Sequence, residues 1–101
     1  NAKLDVPTRV AAISTLGDLC RHDEAELLYK LALRAGFQQL PYDQPLGLAA
    51  LAALGEIRPP DLAQRLAPLV TKDKRIPPII RQIARDVLRR EGSCPAAPTT
   101  T

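Results

Sequence analysis

Apolar residues recur along the chain at the spacing of an amphipathic α-helix in five stretches. In the first stretch, Val10, Ile13, Leu16 and Leu19 follow one another every three residues, which places them on one side of a helix. The same reading predicts further helices over 24–35, 44–57, 61–70 and 77–90. We therefore expect an all-α protein in which these apolar sides face a shared core.

Several residues are suited to bound these helices. Asp5 and Thr8 are each suited to be the N-cap of the first helix, and Asp43 is suited to cap the third. Gly36 is expected to end the second helix, since glycine is the commonest residue just past a helix end. Pro68 is expected to bend the last turn of the fourth helix, because proline has no N–H to donate.

The first helix recurs within the sequence. Leu16-Gly17 returns as Leu54-Gly55, and Leu54 returns more faintly as Leu88. A glycine inside a helix costs about 1 kcal/mol relative to alanine, so we expect a neighbouring helix to approach Gly17 closely. A two-helix unit that recurs with a period of about 20–50 residues, as here, is typical of an α-solenoid. In such a protein each unit buries its apolar face against the next.

These motifs resemble the HEAT-repeat family. The residues that carry the resemblance are the segment 5–12 with Leu16-Gly17, then Asp43, Pro45, Ala50 and Ala53-Leu54-Gly55, and finally Arg81, Ala84 and Leu88. Gly47 stands where the family has an arginine. The resemblance implies a short right-handed α-solenoid of about five antiparallel helices, two HEAT-like helix pairs plus a C-terminal helix, over residues 1–92. A generic five-helix bundle is the alternative, and residues 93–101, rich in proline and threonine, are expected to be a disordered tail.

The composition narrows the setting. The 101 residues suit one domain, the net charge is +3, and aromatic residues make up only 3%. Cys20 and Cys94 are the two cysteines; we expect both to be reduced thiols, which favours the cytoplasm. No stretch approaches the length of a transmembrane helix, so no membrane partner is predicted. The chain contains no methionine, and we expect it to be part of something longer.

No arrangement of residues in the sequence is typical of a catalytic or metal site. His22 is the only histidine, and zinc needs three or four ligands. Ser14 lies within a helix and outside any Gly-x-Ser-x-Gly motif. The glycines are dispersed and make no phosphate-binding loop. We therefore expect no enzyme activity, no catalytic residue, no metal and no cofactor.

The resemblance implies a non-catalytic protein–protein interaction or scaffold module, with a protein as its partner. In such a solenoid the second helix of each pair lines the concave side. The candidate contact residues on these helices are Glu26, Lys30, Arg34, Gln64 and Arg65. Tyr42, in the connection between the second and third helices, is a further candidate, because tyrosine is enriched at protein interfaces.

A basic stretch supports an alternative function. Its candidate residues are Lys72, Lys74, Arg75, Arg81, Arg85 and Arg89. The three arginines of the last helix recur every four residues, which lines them along one helical face. They are therefore candidates to bind the phosphate backbone of a nucleic acid. The other reading of the same stretch is a solvated face at the end of a solenoid.

Overall fold

A computed structural model describes residues 5–37 and 43–95 of the chain. Within these ranges the protein has five α-helices and no strand. The helices are α1 (Val6–Asp18), α2 (Ala25–Phe37), α3 (Asp43–Ile57), α4 (Leu62–Leu66) and α5 (Pro78–Arg89). Two 3₁₀ turns, His22–Glu24 and Ala67–Val70, precede α2 and follow α4. The prediction of an all-α fold with five helices is confirmed.

Helix α1 begins after Asp5, which decides between the two candidate caps. The carboxylate of Asp5 accepts a hydrogen bond from the backbone N–H of Thr8 at 3.2 Å, so it satisfies one of the free donors of the first turn. Pro7 lies in that turn, where its missing N–H has no consequence. Asp5 is therefore the N-cap, and Thr8 is helical.

Helix α2 does not end at Gly36, so that prediction is wrong. The helix continues to Phe37, and Gly36 is buried inside it. A Cβ atom at Gly36 would overlap Cδ2 of Leu69. The glycine therefore makes room for a side chain of the 3₁₀ turn that follows α4, and does not serve as a helix end.

The fourth predicted helix is divided in two. Five residues form α4, and Ala67–Val70 continues it as a 3₁₀ turn that contains Pro68. Proline cannot donate the hydrogen bond that an α-helix requires at this position. The tighter turn still buries Leu69 completely, so the change of helix type keeps the apolar side of this segment in the core.

The core is built around α3. Ten of the fifteen residues of α3 are buried, and α1, α2 and α5 all pack against it. Four of its large apolar side chains, Leu46, Leu51, Leu54 and Ile57, are each at most 2% exposed. Helix α3 is thus the central element, and α1 lies at the edge of the core.

A close approach between α1 and α3 explains Gly17. A Cβ atom at Gly17 would lie 2.8 Å from the Cα atom of Ala53, closer than any real side chain tolerates. The expected close approach at Gly17 is therefore confirmed. Gly55, its counterpart in the second copy, is less crowded, because the nearest atom to a Cβ there would be Cγ2 of Val87 at 3.4 Å.

The number of residues that separates Gly17 from Gly55 also separates two positions with an unusual backbone conformation. Cys20 and Arg58, which are separated by that same interval, are the only described non-glycine residues with a positive φ, at 55° and 50°. Cys20 follows α1 and Arg58 follows α3, and each turns the chain toward the next helix. Leu28 and Leu66, again separated by this interval, occupy matching places in α2 and α4 and are both fully buried.

Residues 90–95 form a strap, here called the C-terminal strap, that crosses the ends of three helices. At α5, Nη1 of Arg58 donates to the backbone oxygens of Val87 and Arg90, at 2.7 Å and 2.5 Å. At α3, the N–H of Cys94 donates to the oxygen of Glu56 at 3.0 Å. Carbonyl oxygens at a helix end lack hydrogen-bond donors within the helix. Here Arg58 and the strap provide these donors.

The strap ends in a disulfide bond between Cys94 and Cys20. The expectation of two reduced thiols is therefore wrong. The bond joins residues separated by 74 positions in the sequence, and it forms because the strap brings Cys94 to the turn after α1. Residues 93–95, which were expected to belong to the disordered tail, are attached in this way, and the rest of that tail lies outside the described residues.

Candidate functional site

A half-open apolar groove of about 240 Å³ lies between α1 and α2. Its walls are Thr8, Arg9, Ala12, Ile13, Leu27 and Leu31. Leu27 and Leu31 are four residues apart on α2, so they form one row along the groove. Helical spacing alone would place Leu27 and Leu19 in the core, but Leu27 is 43% exposed and Leu19, at the end of α1, is 62% exposed.

A row of charged residues on α2 lies beside the groove. Glu26, Lys30 and Arg34 are spaced four residues apart and are all exposed, so they share one face of the helix. The structure therefore brings three of the predicted contact residues together, next to an apolar surface that the sequence did not indicate.

Two of the predicted contact residues bind each other across the helices. The guanidinium of Arg65 on α4 donates to both carboxylate oxygens of Glu26 on α2, at 2.8 Å and 2.5 Å. It also lies over the ring of Tyr29, 4.3 Å from the ring centre, and Tyr29 donates its hydroxyl hydrogen to Asp61 at 2.9 Å. We name these four residues, Glu26, Tyr29, Asp61 and Arg65, the α2–α4 clamp.

Ionisation in the α2–α4 clamp follows from these contacts. The hydrogen bonds from Arg65 lower the pKa of Glu26, so this carboxylate stays charged. Burial and the hydrogen bond to Asp61 raise the pKa of Tyr29, so its hydroxyl stays protonated. The clamp therefore joins α2 to α4, and it leaves neither Glu26 nor Arg65 as a simple free contact for a partner.

Replacing Tyr29 by phenylalanine tests the clamp. The ring and its contact with Arg65 are kept, and the hydrogen bond to Asp61 is lost, so we expect the free energy of unfolding to fall by about 1 kcal/mol. Glu26→Gln is the control, since the side chain of Glu26 is 67% exposed and exposed ion pairs contribute little. Urea titrations of both variants would contradict this account if Glu26→Gln proved the more damaging.

The remaining contact candidates are more scattered. Arg34 reaches Asp43 at 3.6 Å, and Asp43 is buried at the start of α3. Gln64 is exposed on α4. Tyr42 lies outside the described residues. Arg34 thus combines an exposed position beside the groove with a structural role at the α2–α3 junction.

The predicted basic patch is divided between structural and exposed side chains. Arg75 pairs with Asp73 at 2.6 Å, and its guanidinium lies 5.0 Å from the ring centre of Phe37. Arg81 is partly buried and donates to the backbone oxygen of Asp73 at 3.1 Å. The exposed side chains of the patch are Arg75, despite its pairing, and Lys72, Lys74, Arg85 and Arg89. The row of three arginines along α5 is therefore reduced to two.

The loop before α5 should respond to acid through Asp73. Hydrogen bonds from the side chain and backbone of Arg75 lower the pKa of Asp73 to about 2. A carboxyl with a lowered pKa contributes stability that is complete above its unfolded pKa of about 4 and is lost as the pH falls toward 2. We expect the stability difference between wild type and Asp73→Asn to be constant above pH 4 and to shrink between pH 4 and pH 2. Thermal unfolding across this range measures it, and a difference that stays constant down to pH 2 would contradict the assignment.

His22 contacts the C-terminal strap. Its Nε2 atom lies 3.0 Å from the backbone oxygen of Pro95. Across residues 5–37 and 43–95, no three His, Cys, Asp or Glu side chains are grouped so that they could hold a metal ion. In the same part of the chain, no helix has both the length and the apolar character needed to cross a membrane.

The chain has no recognisable relative in three comparisons. No protein-family model, no curated protein and no solved structure matches it.

Proposed function

We propose that this chain is a non-catalytic protein-binding module of the HEAT-repeat type. The proposed architecture is a short right-handed solenoid made of the pairs α1–α2 and α3–α4, with α5 as a last helix. Its support is the common interval that relates Leu16-Gly17 to Leu54-Gly55, the left-handed residues Cys20 and Arg58, and the buried residues Leu28 and Leu66. The α2–α4 clamp joins corresponding helices of the two pairs, as stacking of repeats requires.

The observation that carries the function is the open apolar groove between α1 and α2. Leucine side chains that stay partly exposed along a groove are typical of a surface that receives an apolar partner. A groove bounded by two helices suits an amphipathic helix, which lays its apolar side chains into it at i, i+3, i+4 and i+7. The proposed partner is therefore an α-helix of another protein.

The charges beside the groove indicate the polar side of that helix. Glu26 is paired with Arg65, and Arg34 is paired with the buried Asp43, so Lys30 sets the sign of the charged row on α2. Lys30 is exposed and basic. We expect the partner helix to carry aspartate or glutamate next to its apolar ridge, since complementary charges steer association and fix the register of the complex.

Selection from a library of displayed amphipathic helical peptides tests the proposal. The selected peptides should carry acidic residues beside a leucine-rich ridge, and their amide shift perturbations should map to α1 and α2. Leu27→Asp should weaken their binding by on the order of a hundredfold, because it places a charge in an apolar contact. The matched control is Ile79→Asp on α5, since Ile79 is 45% exposed and Leu27 is 43% exposed; it should leave the affinity unchanged.

Two results of this selection would count against the proposal. Peptides that bind equally well to wild type and Leu27→Asp would remove the groove as the site. A failure to select any helical peptide would remove the protein-binding function as stated. Lys30→Glu serves as a separate test of the charge argument, and it should weaken acidic peptides more than neutral ones.

The alternative function, binding to nucleic acid, has its support in Arg85 and Arg89, which are exposed one turn apart on α5. Because Arg81 is bound to the backbone of Asp73, we expect at most a few phosphate contacts and a correspondingly shallow dependence on salt. Fluorescence anisotropy with labelled DNA and RNA should show weak binding at low salt. Tight binding that Arg85→Glu/Arg89→Glu abolishes would favour the alternative over the groove.

The state of the two cysteines bears on the cellular location of the protein. The cytoplasmic location stays a prediction, but its premise, two reduced thiols, does not hold in the structure. A disulfide bond between Cys20 and Cys94 is typical of a protein in an oxidising compartment.

The scaffold role, in which the module joins two partners, likewise stays a proposal.

A further inference from the structure

The C-terminal strap is attached to the body of the protein mainly by polar contacts and one covalent bond. Cys94 is its one described residue that packs against the apolar core. Glu91, Ser93 and Pro95 are exposed. A segment with so little buried apolar surface has a low local stability of its own. The disulfide bond to Cys20 is therefore the strongest attachment of the strap.

The strap also runs very close to the end of α3. A Cβ atom at Gly92 would lie 2.7 Å from the backbone oxygen of Gly55 and would overlap the oxygen of Glu56. Ser93 donates its hydroxyl hydrogen to the carboxylate of Glu56. The attached strap thus covers the last carbonyl groups of α3, which lie beside a shallow groove between α1 and α3 lined in part by Gly17 and Glu56.

We infer that the Cys20–Cys94 bond is a thiol–disulfide exchange site, and that a dithiol reductant opens it to release residues 91–95 while the helices stay folded. Both cysteines are partly exposed, so a thiolate has access to the bond from solvent. The five helices hold their own apolar core without the strap, apart from the contact of Cys94. The bond is therefore positioned to control the attachment of the strap and not the fold.

The exchange is balanced in electrons and protons. A thiolate of the reductant attacks one sulfur of the bond, forms a mixed disulfide with that cysteine and displaces the other cysteine as a thiolate. The second thiol of the reductant then displaces the first cysteine and becomes part of a new disulfide. The protein gains two electrons and two protons, the dithiol loses them, and a disulfide oxidant reverses the step.

Hydrogen exchange of the full chain, followed by mass spectrometry, tests the inference with dithiothreitol as the dithiol. On reduction without denaturant, the amide of Cys94, which donates to Glu56 when oxidised, should exchange on the order of tenfold faster or more. The amides inside α3 should also exchange faster, because the global stability falls, but they should stay far slower than the amides of an unfolded chain. Cys94→Ser should reproduce the reduced state. The control, Ser93→Ala, keeps the bond and should keep the protection of Cys94.

Three outcomes would overturn the inference. Dithiothreitol that leaves the bond intact under native conditions would show that the bond is inaccessible. A Cys94 amide that stays protected after reduction would show that the strap needs no bond. Exchange throughout α1 and α3 at the rate of an unfolded chain, in the reduced protein or in Cys94→Ser, would show that the bond holds the whole fold.

Discussion

Replacing both Cys20 and Cys94 by serine is expected to lower the free energy of unfolding by about 4 kcal/mol. The bond closes a loop between residues 74 positions apart. Such a cross-link restricts the unfolded chain, and the restriction grows with the logarithm of the loop length. Domains of this size have about 5–15 kcal/mol of stability, so the variant should still fold at 25 °C, with a clearly lower midpoint in a urea titration.

The wild-type protein under reducing conditions is the matched control for this variant. It has the same open loop and keeps both sulfur atoms, so its stability should agree with that of the double serine variant. Agreement assigns the loss to the bond itself. A loss below about 1 kcal/mol in both proteins would contradict the loop-closure argument and would mean that the reduced unfolded chain retains compact structure.

Replacing Gly47 by alanine should cost about 2 kcal/mol, even though alanine is the better helix former. A Cβ atom at Gly47 would overlap the Cβ atom of Ala35 and lie 3.2 Å from the backbone oxygen of Leu31. Neither neighbour is the flexible end of a long side chain. Helices α2 and α3 would therefore have to move apart along their closest contact, and the buried leucines between them would lose packing.

Gly55→Ala is the matched control, because Gly55 is also buried inside α3. Its nearest neighbours are the methyl groups of Val87, at ordinary contact distances of 3.4 Å and 3.5 Å. Here the gain in helix propensity, about 1 kcal/mol, should appear as a small increase in stability. Thermal unfolding of the two variants should therefore give shifts of opposite sign. Shifts of the same sign would show that the α2–α3 contact yields more easily than the structure indicates.

The spacing of apolar residues predicted where the helices lie more accurately than it predicted which of their residues are exposed. The helical period located all five helices, and Asp5 and Gly17 have the roles that their residue types indicate. Leu19 and Leu27 have the same spacing as core residues yet are exposed. The period shows that residues share a face, but whether another helix covers that face depends on tertiary position, and α1 lies at the edge.

The helical period also predicted part of the candidate site. The row Glu26, Lys30 and Arg34 follows from the helical period, and the structure places it beside the groove. The pairing of Glu26 with Arg65 was not predictable, because it depends on how closely α2 and α4 approach. Tyr29 was missed although aromatic residues are scarce in this chain, since its contact with Asp61 joins residues 32 positions apart.

The spacing of residues in the sequence could not predict the disulfide bond. Two cysteines so distant in the sequence, one of them in a proline-rich segment, have no local pattern that pairs them. Their meeting depends on the path of residues 90–95, which Arg58 directs by holding the carbonyl groups at the end of α5. The side chain that holds this path is thus an arginine just after α3, far in sequence from both cysteines.

The position of this bond also determines how the protein would respond to mechanical tension. A force applied at the two ends of the chain reaches Cys20 and Cys94 and passes through the covalent bond between them. The residues enclosed by the bond, including all of α2, α3, α4 and α5, carry none of that load. Of the helices in residues 5–37 and 43–95, α1 alone lies outside the closed loop, so stretching would unravel α1 while the central helix keeps its remaining packing partners.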